Sequence, residues 1–346
     1  MKSKILYIIL ILTVLAALTA CSGDETGQQP VVNVDEQSYP LWPGSITRAG
    51  AMPSSPTDKG NIRLYLTRDK DATYFEGMFQ YLGTDDSGND QWRSATSVNA
   101  EAYHIYGFMP VDVAPVALGM RTGASDYKTG AVLTFSNLSP VLAQDFCVIT
   151  GVEETDATPT QCLFSFEGSK TGSYLSLLLD HLYTKAVFLL RVGEAYSKLR
   201  TIRITQLSLQ TEGAAGLTLT VNLPVQQPMT IDYGAAVVPS ATSLPVANMC
   251  KAVAKLETTT DAEFSGYFAP LAAVYSKLYL VATYDVYDDK NTTLIRKDCT
   301  SRNKLSFDDP AKVVRGNYFI FNLKVEPTYL YQLSDADLDN PTIKIE

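Results

Sequence analysis

The strongest constraint on the fold is an alternation of apolar and polar residues with a period of two, which recurs along most of the chain after residue 60. It is clearest in residues 62–67, 217–223, 278–286 and 319–325. Such alternation is typical of β-strands that bury one face. A second sheet is needed to cover each buried face, so we predict an all-β protein built from β-sandwiches.

The length of 346 residues is sufficient for about two domains. Small and polar residues in segment 168–173 separate two apolar runs, and we place the boundary between the domains there. The sequence thus predicts an N-terminal domain over residues 50–170 and a C-terminal domain over residues 174–346.

Local patterns predict turns and irregularities within these domains. Polar residues in Thr84–Asp90 and Asp288–Asn291 indicate the ends of hairpins. A slip in the apolar phase between Ile204 and Leu207 predicts a β-bulge near Gln206. Segment 173–182 is the best helical candidate, but its short, uniformly apolar sequence fits a buried strand equally well.

The first 20 residues differ from the rest of the chain. Lys2 and Lys4 precede the apolar run Ile5–Ala20, which is 16 residues long and therefore shorter than the roughly 20 residues that span a bilayer. A short basic start followed by such a run predicts a signal peptide over residues 1–20.

The end of this run resembles the bacterial lipobox, in which small residues precede a cysteine that becomes lipidated. Its residues here are Leu18, Thr19, Ala20 and Cys21. The acidic residues Asp24 and Glu25 resemble the surface-export signal of Bacteroidetes lipoproteins. We therefore expect Cys21 to carry lipid and the protein to be a surface-exposed lipoprotein of the cell outer membrane.

Residues 21–60 form an arm that is rich in Pro, Gly, Ser, Asp and Gln, a composition typical of a linker. Part of the arm is more apolar than a tether needs, and we interpret that part as a removable strand with Tyr39, Leu41, Trp42 and Ile46. Arg48 and Ala49 follow it directly, and exposed segments of small residues are where proteases cut. Alternatively, Arg48 is a solvated charge with no further role.

The composition argues against several functions. The chain has 28 basic and 37 acidic residues, whereas nucleic-acid-binding domains are usually basic. It contains neither a glycine-rich phosphate loop nor the motifs of zinc proteases or serine hydrolases. His104 and His181 lie in apolar segments, as structural histidines do. We predict a protein that is not an enzyme and has no catalytic residues and no cofactor.

An acidic segment near the C-terminus and four cysteines are the remaining features of chemical interest. Asp335, Asp337 and Asp339 resemble the start of a calcium loop, but the glycine and glutamate that complete such a loop are missing, so no metal site is predicted. Four cysteines remain after Cys21, which allows three pairings. They are Cys147, Cys162, Cys250 and Cys299. Export through an oxidising compartment permits disulfides, whereas buried free thiols fit as well.

Several segments, taken in order, carry a resemblance to a known family. They are the lipobox, the arm with Arg48, Tyr103–Pro110, Leu179–Val187 and Gly316–Leu323. Together they resemble the fimbrillin-like family of Bacteroidales, which comprises the FimA-like and Mfa-like subunits of type V pili. The resemblance extends over essentially the whole chain.

The resemblance implies two tandem transthyretin-like β-sandwich domains with Greek-key type connections. It also implies that an arginine-directed protease cuts between Arg48 and Ala49 and removes the strand before the cut. The vacated groove then accepts a C-terminal strand from another fimbrial subunit, identical or related. The protein would be held by its lipid in the outer membrane before processing and would lie in the fimbria afterwards, where a host or bacterial surface ligand is a further partner.

The tail after Pro327 is the candidate donor strand. Its apolar residues are Tyr329, Leu330, Tyr331, Ile343 and Ile345. Packing of this tail on its own domain is the alternative. The alternative function is that of an outer-membrane glycan-binding lipoprotein, for which the 20 tyrosines and Trp92 would supply stacking faces.

Overall fold

The computed structural model describes residues 38–50, 52–53, 58–68, 72–154, 165–167, 173–234, 236–237, 244–327 and 341–345. Over these residues the chain is almost entirely β-structure, which confirms the predicted fold class. Cys21 and the predicted signal peptide lie outside them. No helix in the described part of the chain is both long and apolar enough to cross a membrane.

The first twelve strands lie between residues 39 and 181. They are β1 (Tyr39–Arg48), β2 (Ile62–Arg68), β3 (Tyr74–Thr84), β4 (Asp90–Ser94), β5 (Ser97–Val98), β6 (Ala102–Met109), β7 (Val116–Met120), β8 (Gly130–Leu138), β9 (Val141–Leu142), β10 (Cys147–Glu153), β11 (Ser165–Glu167) and β12 (Ser173–His181).

The remaining elements include two short helices, α1 and α2, and a single 3-10 turn. They are β13 (Thr184–Val192), α1 (Glu194–Ser197), β14 (Arg200–Thr211), β15 (Leu217–Pro224), β16 (Thr230–Asp232), β17 (Val246–Asn248), β18 (Ala254–Lys255), β19 (Ala262–Phe268), α2 (Ala272–Tyr275), β20 (Leu278–Asp288), β21 (Leu294–Lys304), the turn Pro310–Lys312, β22 (Tyr318–Pro327) and β23 (Pro341–Ile345).

The described strands form four sheets. Sheet I has the order β4-β3-β2-β6-β10-β12-β1-β5, with β11 paired to β6. Sheet II has the order β16-β15-β8-β7, and sheet III has the order β23-β22-β13-β19-β9. Sheet IV has the order β17-β14-β20-β21, with β18 paired to β14.

The sheets pack in two pairs, as the predicted sandwiches require. Sheet I contacts sheet II through Phe108 and Phe135, whose rings meet edge to face with centroids 5.0 Å apart. Sheet III contacts sheet IV at Gly266, where a Cβ atom would lie only 2.7 Å from Cδ1 of Leu209. The buried residues of all four sheets belong to one continuous hydrophobic core.

The boundary between the two domains stays a prediction, because residues 168–172 lie outside the described part of the chain. Four pairings join strands from opposite sides of the predicted boundary. Strands β1 and β10 both pair with β12, β8 pairs with β15, and β9 pairs with β19. Each predicted half of the chain thus contributes strands to a sheet of the other half.

Most of the local predictions agree with the structure. Thr84–Asp90 joins β3 to β4, Asp288–Asn291 follows β20, and the ladder between β14 and β20 shifts register between Ile204 and Gln206. Segment 173–182 is not a helix, because its apolar residues pair as β12 between two other strands. The described cysteines are buried free thiols, namely Cys147, Cys250 and Cys299. Cys162 lies outside the described residues.

Candidate functional site

Strand β1 belongs to sheet I and runs parallel to β12. Leu41 lies opposite Ser173, and Arg48 lies opposite Leu179. On its other side, the start of β1 pairs with β5, and the N–H group of Leu41 donates to the carbonyl of Thr96 at 3.0 Å. The segment that the sequence analysis interpreted as a removable strand is therefore a paired strand of the sheet.

A bulge in the middle of β1 explains why this strand needs a glycine. The ladder shifts register between Pro43 and Ile46, and the N–H group of Ser45 donates to Oγ of Ser176 at 3.0 Å. A Cβ atom on Gly44 would lie 2.7 Å from the same Oγ atom. The hydroxyl of Ser176 thus satisfies the irregular backbone at a place where only glycine fits.

The four apolar residues predicted for this strand divide between its two faces. Leu41 is completely buried, and Ile46 packs against the core. Trp42 points outward with 44% of its surface exposed, next to Tyr174 on β12. Tyr39 is partly buried at the start of the strand. Leu41 and Ile46 are thus the residues that join β1 to the core.

Arg48, the last residue of β1, turns its side chain inward. Its Nε atom lies 3.3 Å from Oδ2 of Asp145, which is almost completely buried, and its Nη2 atom donates to the carbonyl of Asp58 at 2.9 Å. Only 19% of the Arg48 side chain is exposed. The alternative that Arg48 is a solvated charge is therefore wrong, because its guanidinium group is bound to a buried carboxylate.

Asp145 is the centre of a buried polar cluster with His181 and Cys147. Nδ1 of His181 lies 3.0 Å from Oδ1 of Asp145 and 3.4 Å from Sγ of Cys147. Burial and the neighbouring Asp145 raise the pKa of Cys147 well above its usual value, so this residue is a neutral thiol. The cluster lies at the start of β10 and the end of β12, directly behind Arg48.

The geometry of this cluster does not fit catalysis. A cysteine–histidine–aspartate relay requires the thiol and the carboxylate to contact different nitrogens of the imidazole, whereas here both approach Nδ1. The same three residues have potential metal-ligating atoms within 4.8 Å of one another. A metal would have to compete with the guanidinium of Arg48 for Asp145 and with the proton of a fully buried thiol. The cluster fits an anchor for Arg48 better than either role.

A second buried ion pair lies beside the first. Nζ of Lys185 is 2.8 Å from Oδ2 of Asp58 and also donates to the carbonyl of Pro53 at 2.8 Å. Both side chains are at least 98% buried. Since Pro53 and Asp58 follow β1 in the chain, Lys185 fixes the segment beyond Arg48 to β13.

The backbone after Arg48 leaves the sheet at the surface. The N–H group of Ala49 donates to the carbonyl of Leu179 at 2.7 Å, and Gly50 is exposed. Both residues line a cleft of about 420 Å³ whose other wall includes the ion pair between Asp180 and Arg315, 2.8 Å apart. The peptide bond between Arg48 and Ala49 is thus near the surface but held in the ladder.

The C-terminal strand lies on its own subunit in this structure. Strand β23 pairs antiparallel with β22, so that Ile343 lies opposite Val325 and Ile345 lies opposite Leu323. The other candidate donor residues lie outside the described part of the chain, namely Tyr329, Leu330 and Tyr331. The role of this tail as a donor strand stays a prediction.

The aromatic residues proposed for glycan stacking occupy different environments. Trp92 packs against the core and against Tyr81, with ring centroids 5.0 Å apart. A groove of about 750 Å³ lies near this pair and is lined in part by Arg63, Glu76 and Met78. The more exposed aromatic pair is Trp42 with Tyr174, which is 53% exposed.

Sequence reasoning identified Arg48 but missed the residues that bind it. Asp145 and Lys185 are single charged residues in apolar segments, whereas Asp58 stands beside Lys59 in a polar stretch. For Asp145 and Lys185 that pattern is a usable signal, since charged residues are rarely buried without a partner. Their partners lie up to 132 positions away in the chain, so the sequence alone did not reveal the pairs.

Comparison with known proteins gave matches in structure alone. No family model and no curated protein matches the chain. A candidate cell adhesion protein of Bacteroides fragilis shares 10% identity over 89% of this chain and 96% of its own, with a TM-score of 0.45. A fimbrial protein of Bacteroides vulgatus shares 12% identity over 88% and 98%, with a TM-score of 0.38.

The fimbrial anchor protein Mfa2 of Porphyromonas gingivalis also matches, with 9% identity over 87% of this chain and 95% of its own and a TM-score of 0.29. The three matches are thus fimbrial and cell-adhesion proteins of Bacteroidales, the group to which the sequence resemblance points. Because the TM-scores are below 0.5, we base no functional conclusion on these matches.

Proposed function

We propose that this protein is a structural and adhesive subunit of a type V fimbria, assembled by strand exchange after cleavage between Arg48 and Ala49. The observation that supports the proposal is the position of β1. This strand ends at Arg48, contributes Leu41 and Ile46 to the core and pairs along β12. A cut after Arg48 would separate one complete strand from the sheet without interrupting another.

Loss of β1 would leave an unpaired sheet edge and an empty apolar slot, and a new strand can occupy both. The edge of β12 would present unpaired backbone N–H and carbonyl groups, and the places of Leu41 and Ile46 would become an apolar slot. An extended segment satisfies both, because its backbone continues the ladder while alternate side chains enter the slot. This is the physical basis for assembly by strand exchange.

The proposal also includes the features that lie outside the described residues. Cys21 carries the lipid that holds the unprocessed subunit at the outer membrane, and the tail after Pro327 is donated to a neighbouring subunit. Its last strand, β23, has only five residues paired with β22. So short a pairing is easily released, which suits a segment that changes partners.

N-terminal sequencing of assembled material from the producing cells tests the proposal. We expect assembled subunits to begin at Ala49. Arg48→Ala should leave the N-terminus at Cys21 and abolish polymers seen by electron microscopy. Lys59→Ala is the matched control. It also removes a basic residue from the N-terminal part of the chain, in this case from an ion pair with Asp90. Polymers whose subunits still begin at Cys21 would refute cleavage-dependent assembly.

Binding of glycans is the second candidate, and the exposed pair of Trp42 and Tyr174 favours it, since neighbouring exposed aromatic faces can stack on sugar rings. A glycan array probed with uncut and cut protein separates the two functions. Binding that requires Trp42 would disappear with β1 after the cut. Binding by the uncut protein that Trp42→Ala abolishes, without polymers, would favour the glycan-binding function instead.

A further inference from the structure

Removal of β1, the step on which the proposed function rests, would also separate a charged residue of β1 from its buried partner. A cut between Arg48 and Ala49 makes Arg48 the last residue of the departing strand. Its partner Asp145, whose side chain is 1% exposed while β1 is in place, stays behind on the rest of the chain. The site that the strand leaves is therefore acidic at one end as well as apolar along its length.

Among the described neighbours of Asp145, His181 lies 3.0 Å away and carries a charge only when it is protonated, while the nearby Lys185 and Arg315 are bound to other groups. Lys185 is bound to Asp58 and to the carbonyl of Pro53, each at 2.8 Å. Arg315 is bound to Asp180 and to the backbone carbonyl of His181. A buried carboxylate without a counter-charge is strongly unfavourable, so occupation of the groove depends on a new cation at this position.

The register of β1 defines where this cation must lie. Ile46 and Arg48 are two positions apart, and side chains with this spacing lie on the same face of a strand. Ile46 packs against the core, and the guanidinium group of Arg48 reaches Asp145. We propose that the groove vacated by β1 selects a strand in which Arg or Lys follows an apolar residue by two positions.

The tail of this chain does not have that pattern. Lys344 is the one basic residue after Pro327, and the residue two positions before it is Thr342. In any extended strand Lys344 would point away from the face that carries Ile343 and Ile345. The partner that fits this groove is therefore a different subunit with an apolar-x-basic donor strand, rather than residues 327–346 of a second copy of this chain.

Competition between peptides tests this selection. The full chain would carry a recognition sequence for a site-specific endoprotease between Gly50 and Pro53 and would be cut there. Binding of a labelled peptide of residues 37–48 is followed by fluorescence anisotropy. Unlabelled peptides with Arg48→Lys or Arg48→Gln, and a peptide of residues 327–346, then compete with it. The cut also releases the N-terminal fragment that contains β1. Because this fragment competes equally with every peptide, the ratios between the affinities of the peptides are unaffected.

We expect the Arg48→Lys peptide to bind within about 3-fold of the parent peptide, and the Arg48→Gln and tail peptides to bind about 10-fold more weakly or worse. Asp145→Asn in the cut protein should reduce the difference between the parent and Arg48→Gln peptides to about 2-fold or less. Equal binding of all peptides to the unsubstituted protein would overturn the charge selection and leave strand exchange intact. If even the parent peptide did not bind, strand exchange itself would be refuted, and the selection with it.

Discussion

Lys185 and Asp58 form an ion pair in which both side chains are almost completely excluded from solvent, with Nζ and Oδ2 2.8 Å apart. We expect Lys185→Met to lower the free energy of unfolding by about 3–5 kcal/mol, because Asp58 would remain as a buried charge without a partner. Denaturation in guanidinium chloride measures the change. The double variant Lys185→Met with Asp58→Leu should recover part of the loss.

The control for this prediction is Lys198→Met. Lys198 pairs with Glu194, but both side chains are largely exposed, at 70% and 81%. An exposed pair of this kind contributes about 0.5 kcal/mol or less. Similar losses from the two single substitutions would contradict the burial argument.

Cleavage after Arg48 should be limited by release of its side chain. A protease must bind the arginine in its own specificity pocket, so the ion pair with Asp145 must open first. When opening is fast relative to cleavage, the rate follows the population of the open form. We expect Asp145→Asn to accelerate cutting by trypsin at this bond about 10-fold or more, since a 10-fold change corresponds to about 1.4 kcal/mol and loss of one partner of a buried ion pair costs at least that much.

Asp180→Asn is the matched control for the cleavage experiment. Asp180 lines the cleft beside Ala49 but pairs with Arg315 rather than with Arg48. Mass spectrometry of the fragments over time identifies the bond that is cut. An Asp145→Asn protein that is cut at Arg48 no faster than the Asp180→Asn protein would show that the ion pair does not protect the bond.

The two faces of β1 should differ sharply in their contribution to stability. Leu41→Ala would leave a cavity in the core and is expected to cost about 2–5 kcal/mol, whereas Trp42→Ala should cost about 1 kcal/mol or less because Trp42 points outward. Chemical denaturation of the uncut proteins measures both. After cleavage and removal of β1, the two variants should unfold like the unsubstituted protein, and a persistent difference would contradict the placement of Leu41.

The hairpin between β20 and β21 should weaken in acid. Hydrogen bonds from the backbone of Thr292 and Thr293 lower the pKa of Asp288 to about 2. A carboxylate with a lowered pKa stabilises the folded state above the pKa of the unfolded chain, and this contribution is lost as the pH falls towards 2. Amide hydrogen exchange should therefore show Thr292 and Thr293 losing protection between about pH 4 and pH 2. Asp288→Asn should reduce this dependence on pH, and an unchanged profile would contradict it.

The features that the sequence predicted well are those encoded by neighbouring residues. Alternation of apolar residues predicted the strands, a phase slip predicted the bulge near Gln206, and polar runs predicted both hairpin ends. The apolar segment 173–182 remained ambiguous because most residues on both faces of β12 are buried or partly buried, and a strand covered on both faces loses the period of two.

The features that the sequence did not predict depend on contacts between distant segments. Pairing of β1 with β12 places residue 48 opposite residue 179, and that pairing brings Arg48 to Asp145. The pairing of β8 with β15 similarly crosses the predicted domain boundary. In both cases the paired residues are separated by at least 79 positions, and local patterns carry no information about which strand will lie beside which.

A short connection between two sheets has a mechanical consequence. Only Leu182 and Tyr183 separate β12 in sheet I from β13 in sheet III, and both are completely buried. The ring of Tyr183 meets that of Phe146 edge to face, and Phe146 meets Phe135 in the same way. A joint filled with interlocking rings resists bending, so we expect sheets I and III to keep a fixed orientation to each other. In a fibre of the kind proposed, this joint would pass force from one sheet to the other without acting as a hinge.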